Sequence, residues 1–318
     1  MHAFITGGLG YIGSHLISEL LNIGYSVTIF DCAHCNAYDN DARVRYIKGD
    51  LGNAIDVHRA IAQTRPTDIF HLGAVLGYLC DADPLKSWQV NFWSTAVLLD
   101  AVKSYGGKFF MLSSEAVFAM DAGEPAPDDA VKNCPNIYGQ TKLAGEHLMR
   151  WYHEQHGVDA RGLRFPWIIG PGRSNGFTSM YSAMVDAIAE GRDFEVIGPE
   201  NKGSWLYIKD AVKAILTFHA FPALGSRRVY NIGGDLLSVG ELAELAVSLR
   251  PGSRLTFVPQ DTKKNTPYPN SLDDTLAQND WGWSPDYPMP KALHDHFAVV
   301  DARRPPQEGP ASPGSRTG

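Results

Sequence analysis

Six residues into the chain, the string Thr6-Gly7-Gly8-Leu9-Gly10-Tyr11-Ile12-Gly13 separates a short apolar run from a helical one. His2–Thr6 reads as a strand. Gly13–Asn22 reads as a helix, with Leu16, Leu20 and Leu21 on one face and Gly24 as its stop. A strand that turns into a helix through glycines at this spacing has few options. Gly7 permits the tight turn, Gly10 lets the backbone approach a ligand, and Gly13 lets helix and strand pack closely. The helix N-terminus, through Tyr11 and Ile12, then presents free N–H groups and its positive dipole end to an anion. In this strand–turn–helix context the pattern implies the diphosphate of a dinucleotide.

The rest of the first half keeps the same rhythm. Strands are expected at Ser26–Asp31, Val44–Lys48, Asp68–Leu72, Lys108–Ser113 and Ala160–Phe165, and helices at Ala54–Gln63, Trp88–Ser104 and Asn136–His156. Apolar strands alternating with helices imply a doubly wound parallel α/β sheet of the Rossmann type. Beyond Pro166 the rhythm loosens. Gly170, Pro171, Gly172 and Gly176 mark a long loop. It is followed by helices at Ser179–Glu190, Asp210–Phe218 and Val239–Leu249 and short strands at Phe194–Ile197 and Leu255–Val258. The expected organisation is a nucleotide-binding domain of residues 1–165 plus about 205–235, interleaved with a smaller substrate domain of about 166–204 plus 236–300. The tail 303–318 is rich in Pro, Gly, Ser and Arg and is expected to be disordered.

Bulk properties narrow the function. The net charge of −7 lacks a basic stripe, so nucleic acid is not an expected partner. No apolar stretch approaches the ~20 residues needed to span a bilayer, and no secretory leader is expected. A cytoplasmic enzyme is expected. Cys32, Cys35, Cys80 and Cys134 are too few for a disulfide scaffold. Cys32-Ala33-His34-Cys35 lacks a second ligand pair, so no metal site is expected.

Asp31 ends the second expected strand 18 residues after Gly13, where a carboxylate accepts hydrogen bonds from the adenosine ribose and repels a 2′-phosphate. NAD is therefore expected over NADP. Tyr138 and Lys142, four residues apart on an expected helix, share a face. An ammonium and the positive nicotinamide ring would favour the phenolate of Tyr138, allowing it to act as a base. Ser114 lies at the carboxyl end of a strand, where α/β sheets place their ligands. Its hydroxyl would orient a substrate alcohol and share a proton with Tyr138. Ser114, Tyr138 and Lys142 are the expected catalytic set.

Together these motifs resemble the extended short-chain dehydrogenase/reductase family, in its NAD-dependent epimerase/dehydratase branch. The resemblance runs from Met1 to about Ala298. It implies that Asp50 and Leu51 contact the adenine, that Leu72, Gly73, Ala74 and Pro166 lie beside the cofactor, and that Asn91 supports the site from a helix. Tyr138-Gly139-Gln140-Thr141-Lys142 resembles the family's YxxSK segment, and Tyr207-Ile208-Lys209-Asp210 and Tyr230-Asn231-Ile232-Gly233-Gly234 resemble two later landmarks. Glu115 stands where sugar dehydratases carry an acid, but its usual second carboxylate is replaced by Ala116. Glu115 is thus a tentative catalytic residue, a substrate contact or a solvated side chain.

The substrate residues depart from the nucleotide-sugar pattern. Trp167 stands where an Asn is usual, and Gly203-Ser204-Trp205 replaces an Arg-containing stretch. Lys202, Arg173 and Lys209 would supply charge to a diphosphate, and Trp167 and Trp205 would supply an apolar or stacking wall. Leu76, Trp167, Arg173, Lys202 and Trp205 are the tentative substrate contacts. The leading reading is an epimerase or dehydratase that oxidises a secondary alcohol of a sugar or sugar nucleotide through a transient ketone and recycles NAD. The alternative is a dehydrogenase of a small hydroxy compound, because Arg164-Phe165-Pro166 and Val117-Phe118 resemble the L-threonine-acting branch. A cofactor-binding regulator without chemistry is the third. The resemblance also implies a homodimer through Trp88–Ser104 and Asn136–His156.

Overall fold

A computed structural model describes residues 1–34, 38, 40–222, 224–260 and 268–303. Cys35 and the tail beyond Arg303 lie outside the described residues.

Seven strands form one wholly parallel sheet: β1 (His2–Thr6), β2 (Ser26–Asp31), β3 (Val44–Lys48), β4 (Asp68–His71), β5 (Lys108–Ser114), β6 (Asp159–Phe165) and β10 (Val229–Asn231). Their spatial order is β10-β6-β5-β4-β1-β2-β3. The connections therefore run to opposite sides from β1, and the crevice between the carboxyl ends of β1 and β4 is the place such sheets bind ligands. β1 is buried from Ala3 to Thr6 and β4 along its whole length, as strands covered on both faces must be.

Helices α1 (Tyr11–Asn22), α2 (Ala54–Thr64), α3 (Tyr78–Ala82), α4 (Pro84–Ser87), α5 (Ser94–Tyr105) and α6 (Ile137–His156) belong to this half. Asn136 caps α6 by accepting from Gly139 N at 2.9 Å, and Gly157 ends it in the left-handed region at φ 68°. The expected helix from Trp88 to Ser104 is present, but its first six residues are not α-helical. Trp88–Trp93 winds as a π-turn before α5 begins. The extra residue in that turn points Asn91 inward. Its Oδ1 accepts from Val75 N at 2.8 Å, and its Nδ2 donates to Val75 O at 3.0 Å and to Thr141 Oγ1 at 3.1 Å, tying the turn to the β4 loop and to α6.

The second half adds β7 (Trp167–Ile169), β8 (Phe194–Ile197), β9 (Lys202–Tyr207), β11 (Asp235–Ser238) and β12 (Leu255–Val258). It also adds α7 (Ser179–Ala189), α8 (Ile208–Ala220), α9 (Val239–Leu249), α10 (Thr275–Trp281) and α11 (Met289–Ala302). β7, β9 and β11 make a three-stranded sheet in the order β11-β9-β7, and β8 pairs with β12. The expected strands do not include β7, β9, β10 or β11, nor the expected helices α3, α4, α10 or α11. Buried side chains of β1, β2 and α1 join those of β7, β9, α7, α8, α9 and α11 in one apolar cluster. Among the described residues no helix is long and apolar enough to cross a membrane.

Candidate active site

The glycine turn closes at the carboxyl end of β1. Gly7 has φ 66°, and a Cβ on it would stand 2.5 Å from Gly73 Cα. A Cβ on Gly13 would stand 2.6 Å from Gly7 O and 2.7 Å from Gly8 Cα. Both contacts are with backbone, so neither position accepts a side chain. Gly10 caps α1 without a side chain, which leaves the N–H groups of the first turn, at Tyr11 and Ile12, without an internal side-chain acceptor. Asp31 ends β2 half-buried, its Oδ2 accepting from Leu9 N and its Oδ1 from Ala33 N, each at 3.0 Å. The carboxylate thus fixes the glycine turn and keeps spare lone pairs. Asp50 is exposed and accepts from Gly52 N at 2.8 Å, while Leu51 packs against Gly73. Leu72 and Ala74 flank Gly73 after β4, and Pro166 is buried between β6 and β7. A cavity of about 720 Å³ opens beside Asp50, lined also by Gly52, Asn53, Lys86, Gln89 and Trp93. It lies on the Asp50 side of the crevice rather than over Tyr138.

Ser114 at the end of β5 and Tyr138 in the first turn of α6 meet through a hydrogen bond. Ser114 Oγ also accepts from Ala116 N at 3.2 Å. Burial pushes the Tyr138 hydroxyl well above its ordinary pKa, and the nearby Cys80 thiol adds to this, while the Ser114 hydrogen bond and the Arg173 guanidinium pull it down. Lys142 Nζ lies 5.7 Å from the centre of the Tyr138 ring and donates to Leu112 O at 2.8 Å. It is only 3% exposed, and burial pulls its pKa down to about 8. The Arg173 guanidinium adds a small pull toward the phenolate, against the larger effect of burial.

Glu115 is buried in the short turn after Ser114, not solvated. Burial holds its carboxyl well above the usual range, against a hydrogen bond from the Trp167 side chain, which favours the protonated form. Trp167 is buried among aromatic rings, stacked on Tyr181 at 5.9 Å and edge-on to Trp205 at 4.9 Å. A Cβ on Gly203 would stand 2.6 Å from the Trp167 ring, so the small residue makes room for the indole. Trp205 is fully buried and donates to Leu237 O at 2.9 Å. It is a core residue beneath Trp167 and not an open wall. Lys202 is exposed at the start of β9, and Lys209 is paired to Asp295 at 2.6 Å. Leu76 is exposed and faces Gly176, which adjoins Arg173.

Several groups at the site carry no sequence motif. Cys80, on α3, donates to Val75 O at 3.2 Å and lies close enough to Tyr138 and Lys142 to act on both. Tyr268 hydrogen-bonds Asn136 at the head of α6 and faces Glu115. Glu146 did carry a signal, since it stands four residues after Lys142 on the same face. It accepts from Ser113 Oγ at 2.6 Å and takes a bidentate pair from Arg164, with both contacts at 2.8 Å.

A sequence profile of the NAD dependent epimerase/dehydratase family matches residues 3–233. The chain belongs to this family. This epimerase/dehydratase-family chain is an NAD-dependent oxidoreductase. It is 28% identical over 297 residues to the mitochondrial L-threonine 3-dehydrogenase of Sus scrofa, covering 91% of this chain and 80% of that protein. L-threonine dehydrogenase from Clostridium difficile matches it with a TM-score of 0.85 at 27% identity, covering 95% of this chain and 98% of that one. The NAD complex of UDP-glucose 4-epimerase from Thermus thermophilus shares the fold, with a TM-score of 0.83 at 22% identity, covering 96% and 100% of the two chains.

Proposed function

We propose that this protein is an NAD-dependent dehydrogenase of a small hydroxy acid, with L-threonine as the first candidate, and that it releases NADH with each turnover. The observation that carries the reading is the filling of the space beside Glu115. The Trp167 indole lies against Gly203 and inside a cluster with Tyr181 and Trp205. The three cations that would have met a sugar nucleotide's diphosphate do not converge, because Lys202 is exposed and Lys209 is paired with Asp295. Arg173 alone remains. One cation suits a single carboxylate better than two phosphates. The similarity to L-threonine dehydrogenases supports the same reading.

The residues present fit NAD. Gly7, Gly10 and Gly13 leave backbone room for the diphosphate beside the N–H groups of Tyr11 and Ile12, and Asp31 would take the adenosine ribose. Asp50 and Leu51 would meet the adenine, with Leu72, Gly73, Ala74 and Pro166 along the cofactor. When bound, NAD supplies the hydride acceptor. Ser114 orients the substrate hydroxyl, and Tyr138 accepts its proton. Lys142, already turned toward the end of β5, would hold the cofactor ribose. Asn91 fixes the Val75 loop and α6, which keeps Tyr138 in register.

The test is a 340 nm assay with NAD and two panels, small hydroxy acids and nucleotide sugars. NADH build-up with a hydroxy acid is expected. Conversion of a nucleotide sugar without NADH release would overturn the reading in favour of a cofactor-recycling epimerase. A homodimer through α5 and α6 is part of the proposal. It is supported by the exposure of Trp93 (53%) beside α5 and Trp151 (48%) on α6, and light scattering at micromolar protein checks it.

A further inference from the structure

Arg173 lies on the loop between β7 and α7. Its Nη1 donates to Ile168 O at 3.1 Å, and its guanidinium sits over the Tyr11 ring at 5.2 Å. These contacts fix the direction of the side chain without neutralising it. Nε is buried and has no hydrogen-bond partner. Among the described residues no carboxylate is paired with it, and the groups acting on its charge are the hydroxyls of Tyr11 and Tyr138. Arg173 is half-buried, whereas the fully buried arginines have their acids: Arg164 has Glu146 and Asp128, and Arg161 has Asp159. A half-buried guanidinium whose Nε is shut away without a partner is costly, and an arriving anion would offset that cost.

Resting on the dehydrogenase reading above, we infer that Arg173 is the receptor for the substrate carboxylate and the residue that makes the enzyme select hydroxy acids over neutral alcohols. Its planar fork offers a carboxylate two parallel donors. Its place beside Tyr138 sets the carboxylate within the same small molecule as the hydroxyl that Tyr138 deprotonates. Gly172 and Gly176 flank it, at φ 84° and 89°, and Nη2 would lie 3.1 Å from a Cβ at 176. The loop is therefore kept bare where the guanidinium needs an approach. A rival role follows from the Tyr11 contact, because Tyr11 opens α1 and the cofactor diphosphate lies nearby. On that view Arg173 serves the cofactor.

The experiment is titration calorimetry on the NADH-loaded full chain, with two matched pairs: 3-hydroxybutyrate against 3-hydroxybutyramide, and L-threonine against L-threoninamide. The wild-type protein should bind each acid at least tenfold more tightly than its amide. Arg173→Met should abolish that preference and Arg173→Lys should retain part of it, while NAD affinity, read from quenching of tryptophan fluorescence, stays within twofold. An acid preference that is absent in the wild type, or that survives in Arg173→Met, overturns the inference. So does a loss of NAD affinity with the acid preference intact, which would assign Arg173 to the cofactor. The readout is binding, so it stands apart from turnover. A chain that prefers the acid yet forms no NADH would keep the carboxylate receptor and refute the dehydrogenase.

Discussion

Gly13 and Tyr138 mark the two kinds of residue that carry the site, one by lacking a side chain and one by its hydroxyl. An added Cβ at 13 meets backbone atoms of Gly7 and Gly8, which cannot rotate away. Gly13→Ala should therefore force α1 off β1 and abolish NAD binding, measured by fluorescence titration, with a loss of several degrees in melting temperature. Both stand out as candidates in the sequence, because their signals are local: glycine spacing after a strand, and a Tyr/Lys pair one helical turn apart. The electrostatics were not legible. Spacing puts Lys142 beside Tyr138, but only the packed structure turns its ammonium to Leu112 O and brings Arg173 toward the phenol. Lys142 is also set against its surroundings. Its folded pKa, near 8, lies below the ordinary 10.5, so the folded protein binds fewer protons than the unfolded chain between those values. This residue's contribution to stability should accordingly grow as pH rises from about 8 to about 10.5. The difference between wild-type and Lys142→Met melting curves across that range measures it.

At the scale of elements, α6 is held to the sheet by a buried ionic knot. Glu146 on α6 pairs with Arg164 on β6, and Arg164 reaches Asp128 at 3.4 Å and Asn231 on β10 at 3.0 Å. Removing Arg164 leaves two buried acids without their cation, a loss of about 3–5 kcal/mol by comparison with other buried pairs. Arg164→Met should thus melt far below the wild type while keeping the same NAD preference if it folds. Asp128 reports on the knot separately. Burial raises its carboxyl to about 6, against the pull of Arg164, so the folded protein holds a proton there that the unfolded chain has lost. Its contribution to stability falls as pH climbs from about 4 to about 6. Asp128→Asn should remove that term, so its melting temperature should gain on the wild type over this interval. Strands β1 to β6, β8 and β12 and helices α1, α2 and α5 to α9 were legible from periodicity, and the others were not. The π-turn at Trp88–Trp93 was not, since one extra residue in a turn leaves an apolar pattern unchanged. β7 and β11 are short and show no pattern of their own; each forms by pairing with β9.

Across the whole molecule, the parallel sheet and the cofactor turn follow from the first half of the sequence, whereas the substrate side is assembled from distant pieces. Trp167, Gly203 and Tyr181 come from separate elements and become one wall only after folding. Tyr268 reaches Asn136 across 132 residues, a contact that no local pattern announces. Cofactor binding acts on this molecule as a unit. At a hundred times its dissociation constant NAD should stabilise the chain by about 2.7 kcal/mol, a rise of several degrees in melting temperature. NADP at the same concentration should produce little if Asp31 takes the adenosine ribose, where its carboxylate would repel the 2′-phosphate.

The proposed reaction is a net transfer of hydride to NAD, with Tyr138 taking the proton. The most direct measurement is the ratio of NADH formed to L-threonine consumed by wild-type protein, with Tyr138→Phe alongside. A ratio of one is predicted, together with a drop of about 10²–10⁴ in the variant's rate at unchanged NAD affinity. No NADH from L-threonine or any small hydroxy acid, or full activity in Tyr138→Phe, would contradict it.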